Sequence, residues 1–431
     1  MKISKEKYLK LLPPSYAEIF EKELIHNWTV EECANEFNFP AMVGITDTTL
    51  RDGEQQPGVF FTPDQKVEMA KKLAEVGIMG AEIGYPAVSK EELKACKMIA
   101  AENIKGFLTF VMARAKKVDI DAALDADAKA VDLFTSCSEF HIKYKLKITL
   151  EENIRMYLEA LDYAKDHGLM IVFGREDDSR ADIPYFVKLV KTALKAGAMG
   201  TGISDTTGTL TPVSTKWLIN RLRKEGIAVG PHFHNDLGLA TANTLAALEA
   251  GATGVNGTIL GIGERAGNTP IEEVVVALRV LYGIKTRIDM EGLFELCKMV
   301  SKYSGVPIHV NKPVVGANAF KHESGIHAHG VLAHKLTYES IPSEWLGRKS
   351  EFRYGKFSGT AVVLKEALDP LGLTPTHEQL LEIVNQVKAE QLKRGKDEFE
   401  KFVDEYNRMM DRMGLTLDEV SEIAKNVMGG N

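Results

Sequence analysis

Residues 43–76 read VGITDTTLRDGEQQPGVFFTPDQKVEMAKKLAEV, and the two ends of this stretch obey different periodicities. VGITD (43–47) is a short apolar run suited to a buried strand, whereas DQKVEMAKKLAEV (64–76) spaces its apolar residues at i, i+3 and i+4, as an amphipathic helix does. The order then repeats. Further strand-like runs stand at 78–83 (IMGAEI), 106–112 (GFLTFVM), 129–134 (KAVDLF), 169–174 (LMIVFG), 198–204 (AMGTGIS), 228–234 (AVGPHFH) and 253–259 (TGVNGTI), with helical stretches such as Asn153–His167 and Ala240–Ala250 between them. A strand followed by a crossover helix makes the next strand parallel, and eight such units close into an α/β (β/α)8 TIM barrel. A doubly wound open sheet is the alternative, but no GxGxxG follows the first strand.

Around this barrel, expected over 41–285, lie two other regions. Residues 1–40 read as an N-terminal extension of two short helices, with Pro13, Pro14 and the cap-like Thr29 as punctuation. Residues 286–431 read as a mostly helical C-terminal subdomain, with a loop-rich stretch over Val306–Gly330 and helical patterns from about Thr376. The charged run Lys388–Arg412 reads as a solvated helix or helix pair.

A chain of 431 residues suits a large barrel plus an appendage. The 53 Lys and Arg against 60 Asp and Glu give a net charge of -7, which argues against nucleic acid or an anionic membrane as main partner while leaving room for local basic pockets. No apolar run is long enough to span a bilayer. Four well-separated cysteines, Cys33, Cys96, Cys137 and Cys297, form no CxxC pair, and the N-terminus has no secretory h-region; a reducing, cytoplasmic setting is expected.

In such a barrel chemistry sits at the C-terminal ends of the strands. The first strand runs into Asp47-Thr48-Thr49-Leu50-Arg51-Asp52-Gly53-Glu54-Gln55. The seventh ends in His232-Phe233-His234-Asn235-Asp236, where i and i+2 face one side, so both imidazoles can reach one divalent ion. The eighth leads to Gly261-Ile262-Gly263-Glu264-Arg265-Ala266-Gly267-Asn268. Two histidines, a carboxylate and an amide oxygen leave coordination positions open for an oxygen-rich substrate, which describes a catalytic rather than a structural site. After the fifth strand, Glu176 suits a general acid or base, or a loop ion pair with Arg175. Ser204-Asp205-Thr206-Thr207 could bind a carboxylate or cap a helix.

The stretches ITDTTLRDGEQQPG, HFHNDLGLATANTLAALEAGA and GIGERAGNTPIEE resemble the signatures of the acyl-CoA-dependent 2-oxo acid condensing enzymes, the isopropylmalate, homocitrate and citramalate synthases of the metal-dependent TIM-barrel superfamily. The resemblance runs from about 43 to 365 and implies the following. Asp52, His232 and His234 ligate a divalent metal (Mg, Mn, Co or Zn), with Asn268 at or near it. Arg51 binds the keto-acid oxygens. Gln55, Glu82 and Thr206 line the 2-oxo acid pocket, and Glu176 takes part in proton transfer. His327 of HESGIHAHG and Tyr338 of TYESIPSEWLG match a His and a Tyr commonly donated by a partner subunit, so a homodimer with a shared site is implied. Acetyl-CoA is the implied co-substrate: its methyl loses a proton to Glu176 or His327, the enolate attacks the ketone, and thioester hydrolysis makes the condensation irreversible.

Selectivity is expected on the inward faces of strands three and five, at Phe110, Met112, Arg114, Val172, Gly174 and Glu176. Lysine-pathway homocitrate synthases carry His and Arg where Phe110 and Val172 stand. GREDDSRAD and Gly174 look more like homocitrate synthases associated with nitrogen fixation, and isopropylmalate synthases usually have Ser at that glycine. The balance narrowly favours homocitrate synthase, acting on 2-oxoglutarate, over 2-isopropylmalate synthase and then citramalate synthase, although Phe110 and Met112 suit an apolar 2-oxo acid. GKFSG (355–359) departs from the family in having Phe357 where His is common. A retro-Claisen lyase would need a cysteine in GIGERAGNTP, a biotin-dependent carboxyltransferase a carrier domain and an interior carboxylated lysine, and a non-catalytic metal-binding barrel would have no use for Arg51 and Glu176.

Overall fold

In the computed structural model, which describes residues 1–394, 396–410 and 413–428, eight parallel strands close into a barrel in sequence order. They are β1 (Gly44–Asp47), β2 (Gly80–Glu82), β3 (Leu108–Arg114), β4 (Ala130–Ser136), β5 (Met170–Glu176), β6 (Gly200–Asp205), β7 (Gly230–Phe233) and β8 (Gly254–Gly257). β8 closes on β1 with Gly44 opposite Gly254. The β-then-α periodicity is thus realised, with strand limits displaced by up to two residues at each end. β5 runs past its expected end at Gly174 because β4 extends alongside it, pairing Thr135 with Arg175 and Ser136 with Glu176.

The helix Pro63–Val76 shows how local sequence sets the boundaries. Thr62 and Gln65 form a reciprocal capping box, Pro63 occupies the first turn, and Gly77 ends the helix at φ 102°. Its Met69, Ala70, Leu73 and Val76 are buried.

The chain divides into two compact units, 1–56 with 60–307 and 57–59 with 308–431. Residues 286–307 therefore belong with the barrel rather than the C-terminal region: the helix Met290–Ser304 packs on Pro63–Val76 and buries Leu293, Leu296 and Val300, an apolar stripe that a loss of β/α alternation does not reveal. Residues 1–40 also join the barrel unit. They form three short helices, Lys5–Leu9, Pro14–Glu21 and Trp28–Glu31, rather than two, followed by Phe37 and Phe39 against the Tyr282 ring.

In the second unit, Lys321–His322 pairs with Glu351–Phe352. Ala328, Val362, Val363, Leu368, Leu380 and Val384 form its core beside the helices Gly325–Ala333 and His377–Arg394. The run Lys388–Arg412 covers the end of one helix and all of Asp397–Met410, with Gly395, Asp411 and Arg412 outside the described residues. Phe357 is exposed, and its carbonyl accepts from Gly325 N. No helix among the described residues is long and apolar enough to cross a membrane.

Candidate active site

At the end of β1 the chain turns sharply, Asp52 N donating to Thr48 O, and a 3-10 turn over Gly53–Gln55 follows. This turn brings Arg51 and Asp52 over the barrel axis, where they meet β7. Ligand atoms of Asp52, His232 and His234 all lie within 4.8 Å of one another. The two imidazole rings stand at 85°, centroids 5.2 Å apart. His232 Nδ1 is 2.7 Å from Asn256 Oδ1 on β8, and Asn256 Nδ2 donates to Thr46 Oγ1 on β1, so a polar rung orients the histidine and leaves its Nε2 towards Asp52 at 3.9 Å.

Asn268 Nδ2 donates to Asp52 Oδ1 at 2.6 Å and to Ile262 O. Gly263, at φ 151°, permits this approach: a Cβ there would fall 2.1 Å from Asn268 Nδ2 and 2.8 Å from Asp52 Oδ1. Burial works against the charge of Asp52, yet Arg51 and the two histidines hold its carboxyl well below the usual range. Burial, with His232 next in weight, pushes His234 down to about 4. His234 Nδ1 and Asn268 Oδ1 are buried without a hydrogen-bond partner. Buried polar atoms seldom go unpaired. A carboxylate held ionised, a histidine held neutral and these two unpaired atoms together fit a divalent cation.

Arg51 links the cluster to β2. Its Nη1 donates to Asp52 Oδ2 at 2.5 Å and its Nε to Glu82 Oε2 at 2.6 Å, an oxygen that also accepts from Thr48 Oγ1. Gln55 Oε1 accepts from Arg51 Nη1 at 3.3 Å. Behind the turn, Lys66 is buried and pairs with both Glu54 and Glu92 at 2.6 Å. The other oxygens of these glutamates accept from Phe61 N and Tyr85 N, so one ammonium ties the Asp52 turn to the segment after β2.

A cavity of about 670 Å³ opens here. Arg51, Asp52, Gln55, Glu82, Phe110, Met112, Val172, Gly174, Glu176, Thr206, His232 and His234 all line it. Thr206 Oγ1 accepts from Asp177 N. Glu176 Oε2 is 3.1 Å from Ser136 Oγ and is bonded by Lys145 Nζ. Arg114 departs from expectation. It continues the Phe110, Met112 parity, but at the strand end its guanidinium turns to Asp119 in a bidentate pair, at 2.8 Å on both oxygens, and does not line the cavity. Asn268 lies behind Asp52, outside the lining. His327 and Tyr338 belong to the second unit, their rings stacked at 4.1 Å.

Several lining groups escape a reading of strand ends. Asp132, in the middle of β4, is half-buried, with Met112 and Val172 beside it in register. Its Oδ1 has no partner; burial, reinforced by Glu82, pushes its carboxyl up. Gly174 makes room for it, since a Cβ there would stand 2.1 Å from Asp132 Oδ1 and 2.9 Å from Phe134 Cβ. Tyr85, whose hydroxyl donates to Asp119, and Asn256 complete the wall. The only sequence signals were a lone acid inside AVDLF and a lone amide between glycines in GVNG.

A closed parallel barrel with an Asp-His-His cluster at the C-terminal mouth of its strands is the framework of a metal-dependent TIM-barrel enzyme. Residues 42–300 match the HMGL-like family, and 314–395 match the homocitrate synthase post-HMGL domain-like family. The chain is 46% identical to a probable 2-isopropylmalate synthase of Ignicoccus hospitalis, over 81% of this chain and 88% of that one. It is 46% identical to a putative (R)-citramalate synthase of Methanopyrus kandleri (81% and 69%) and 42% identical to a homocitrate synthase of the same organism (84% and 90%). Among solved structures, the HMG-CoA lyase of Pseudomonas aeruginosa shares the fold, with a TM-score of 0.58 over 64% of this chain and 97% of that one at 21% identity. The chain belongs to the family of 2-isopropylmalate, citramalate and homocitrate synthases, and it is an enzyme.

Proposed function

We propose that the chain condenses acetyl-CoA with a 2-oxo acid whose far end carries no charge, and then hydrolyses the thioester. The first part is supported by the family and by the Asp52, His232, His234 cluster. Those three residues would hold a divalent ion, Mg, Mn, Co or Zn, which supplies a Lewis acid for the ketone. Arg51 sets a guanidinium beside the same point and offsets the negative charge that develops on the ketone oxygen. Thr206, whose oxygen already accepts from Asp177 N, has its own proton left for the substrate carboxylate. Glu176 takes part in moving the methyl proton, its Oε2 steadied by Ser136 and Lys145.

One observation carries the second part. Every arginine lining the cavity is already paired with a carboxylate: Arg51 with Asp52 and Glu82, Arg175 with Asp178, Arg265 with Asp236. Besides Gly174 and the already paired Arg175 and Glu176, the groups of β3 to β5 that line the cavity are Leu108, Phe110, Met112, Phe134, Val172 and Phe173, with Asp132, whose Oδ1 has no partner, among them. A second substrate carboxylate would be desolvated there beside another acid and with no cation to meet it. This favours 2-oxoisovalerate or pyruvate, hence 2-isopropylmalate or citramalate synthesis, over the 2-oxoglutarate that the sequence resemblance favours. Release of CoA from acetyl-CoA with Mg or Mn, scanned over pyruvate, 2-oxoisovalerate, 2-oxoglutarate and oxaloacetate, tests both parts. Preference for an uncharged far end is expected. A clear preference for 2-oxoglutarate overturns the pocket argument and restores homocitrate synthesis, and silence on all four overturns the reaction.

A further inference from the structure

Between β4 and the helix Leu150–Asp166 lies HIKYKLK (141–147), one histidine and three lysines without an acid, in a chain of net charge -7. The segment is anchored from below. Ile142 is buried, Ser138 Oγ donates to Asp177 Oδ2 at 2.5 Å, and His141 Nε2 lies 3.6 Å from the same oxygen. A single π-helical turn over Ile142–Leu146, closed by Lys147 at φ 59°, turns the remaining side chains outward.

Phe140 and Tyr144 are 59% and 61% exposed, with ring centroids 4.9 Å apart. Arg180 lies over the Phe140 ring at 5.6 Å and Lys143 over the Tyr144 ring at 5.4 Å. Lys143, Lys145 and Lys147 are all exposed, and of these only Lys145 forms an ion pair among the described residues, with Glu176 of the cavity wall. Half-exposed aromatic rings beside ammonium groups that, for Lys143 and Lys147, have no ion pair among the described residues are what a purine and its phosphates need: a ring offers a face for stacking and the phosphates meet positive charge.

We propose that the Phe140–Lys147 turn is the docking platform for the adenosine 3′-phosphate 5′-diphosphate end of the acyl-thioester donor. The proposal rests on the reading of the chain as an acetyl-CoA enzyme and names the part of the chain that grips the nucleotide. Lys143 and Lys147 take phosphates, Phe140 or Tyr144 takes the adenine face, and the Lys145 contact with Glu176 joins the platform to the cavity, so the pantetheine arm passes from one to the other. The substituted side chains point to solvent, and their replacement leaves the barrel core untouched.

The test compares two donors, acetyl-CoA and S-acetylpantetheine, which has the same reacting group and no nucleotide. In K143E/K147E the KM for acetyl-CoA should rise about tenfold or more, with kcat unchanged and the KM for S-acetylpantetheine unmoved; the effect should shrink as salt is added. Tyr144→Ala should raise the acetyl-CoA KM severalfold and be much less salt-sensitive. Calorimetry with adenosine 3′,5′-bisphosphate, which needs no turnover, should show binding to the wild type weakened to a similar degree in K143E/K147E. An active wild type whose variants keep their acetyl-CoA KM, or lose both donors equally, overturns the platform and leaves the reaction standing. An inactive wild type that still binds the bisphosphate through these lysines overturns the reaction and leaves the platform standing. Absence of bisphosphate binding to the wild type overturns the platform.

Discussion

Lys66→Met puts the support of the Asp52 turn to a quantitative test. The wild-type ammonium is 1% exposed and meets Glu54 and Glu92 at 2.6 Å, while each glutamate also holds a backbone N–H. Methionine fills a similar volume but leaves two carboxylates facing each other in a desolvated pocket. Removing one partner of a buried pair costs about 3–5 kcal/mol. With about 2.1 cal/mol/K of unfolding entropy per residue, spread over a barrel unit of roughly 300 residues, that lowers Tm by roughly 5–8 °C. The loss should depend on pH with a definite sign. Burial already raises the Glu54 pKa in the wild type, and without Lys66 it rises further. An acid whose folded pKa lies above its unfolded value of 4.5 destabilises the fold increasingly as pH climbs from there through the folded pKa. The K66M deficit should therefore be largest near pH 8 and shrink towards pH 5. Thermal unfolding at both pH values, followed by circular dichroism, reads it directly. A Tm change under about 1 °C, or a deficit equal at the two pH values, would refute the idea that this pair carries the turn.

Asp52→Asn should weaken Mn(II) binding at least about 100-fold, read by electron paramagnetic resonance of the free ion; unaltered affinity would remove Asp52 from the ligand set. Glu176→Gln should lower kcat by about 10²–10⁴ while the KM for the 2-oxo acid stays within a fewfold, and equal losses in both would place the residue in binding instead. Gly174→Ala should cost about 1–3 kcal/mol by overpacking against Asp132 and Phe134, with part of that cost regained in D132A/G174A; equal costs in both backgrounds would mean that Asp132 is not the obstacle. Inactive E176Q and H327A chains, mixed and allowed to exchange, should recover about a quarter of wild-type activity or less if a partner copy donates His327, and no recovery after verified exchange would count against a shared site.

The barrel and the histidine pair of its metal-competent cluster were legible because both rest on strict periods, whereas Asp52 was singled out among the acids after the first strand by the family resemblance alone. The switch from alternating to 3.6-residue spacing marks each β/α unit, and HFH at 232–234 must put two imidazoles on one face. Arg114 shows where parity stops being informative: it shares the face of Phe110 and Met112, but at a strand end a long side chain is free to follow the nearest carboxylate, here Asp119. Asp132 was hidden for a different reason. Within AVDLF it merely interrupts an apolar run, and its meaning arises from Met112 and Val172 alongside it and Gly174 one rung on, neighbours fixed by register rather than by sequence distance. The helix Met290–Ser304 was assigned to the wrong side of a boundary because a ninth amphipathic helix on a barrel looks, in sequence, like the first helix of whatever follows.

The contact between Gly174 and Asp132 also constrains how this pocket can change through descent. A side chain at 174 has no room while the carboxylate stands 2.1 Å from where its first carbon must go and Phe134 Cβ stands 2.9 Å away, so the acid has to swing aside, shrink or leave, and the β4 edge has to give, before the glycine is replaced without strain. The reverse order passes through a strained intermediate. Lineages that widen or recharge this wall should therefore record the substitution at 132 as the older of the two, and a chain that still pairs Asp with Gly has kept both routes closed.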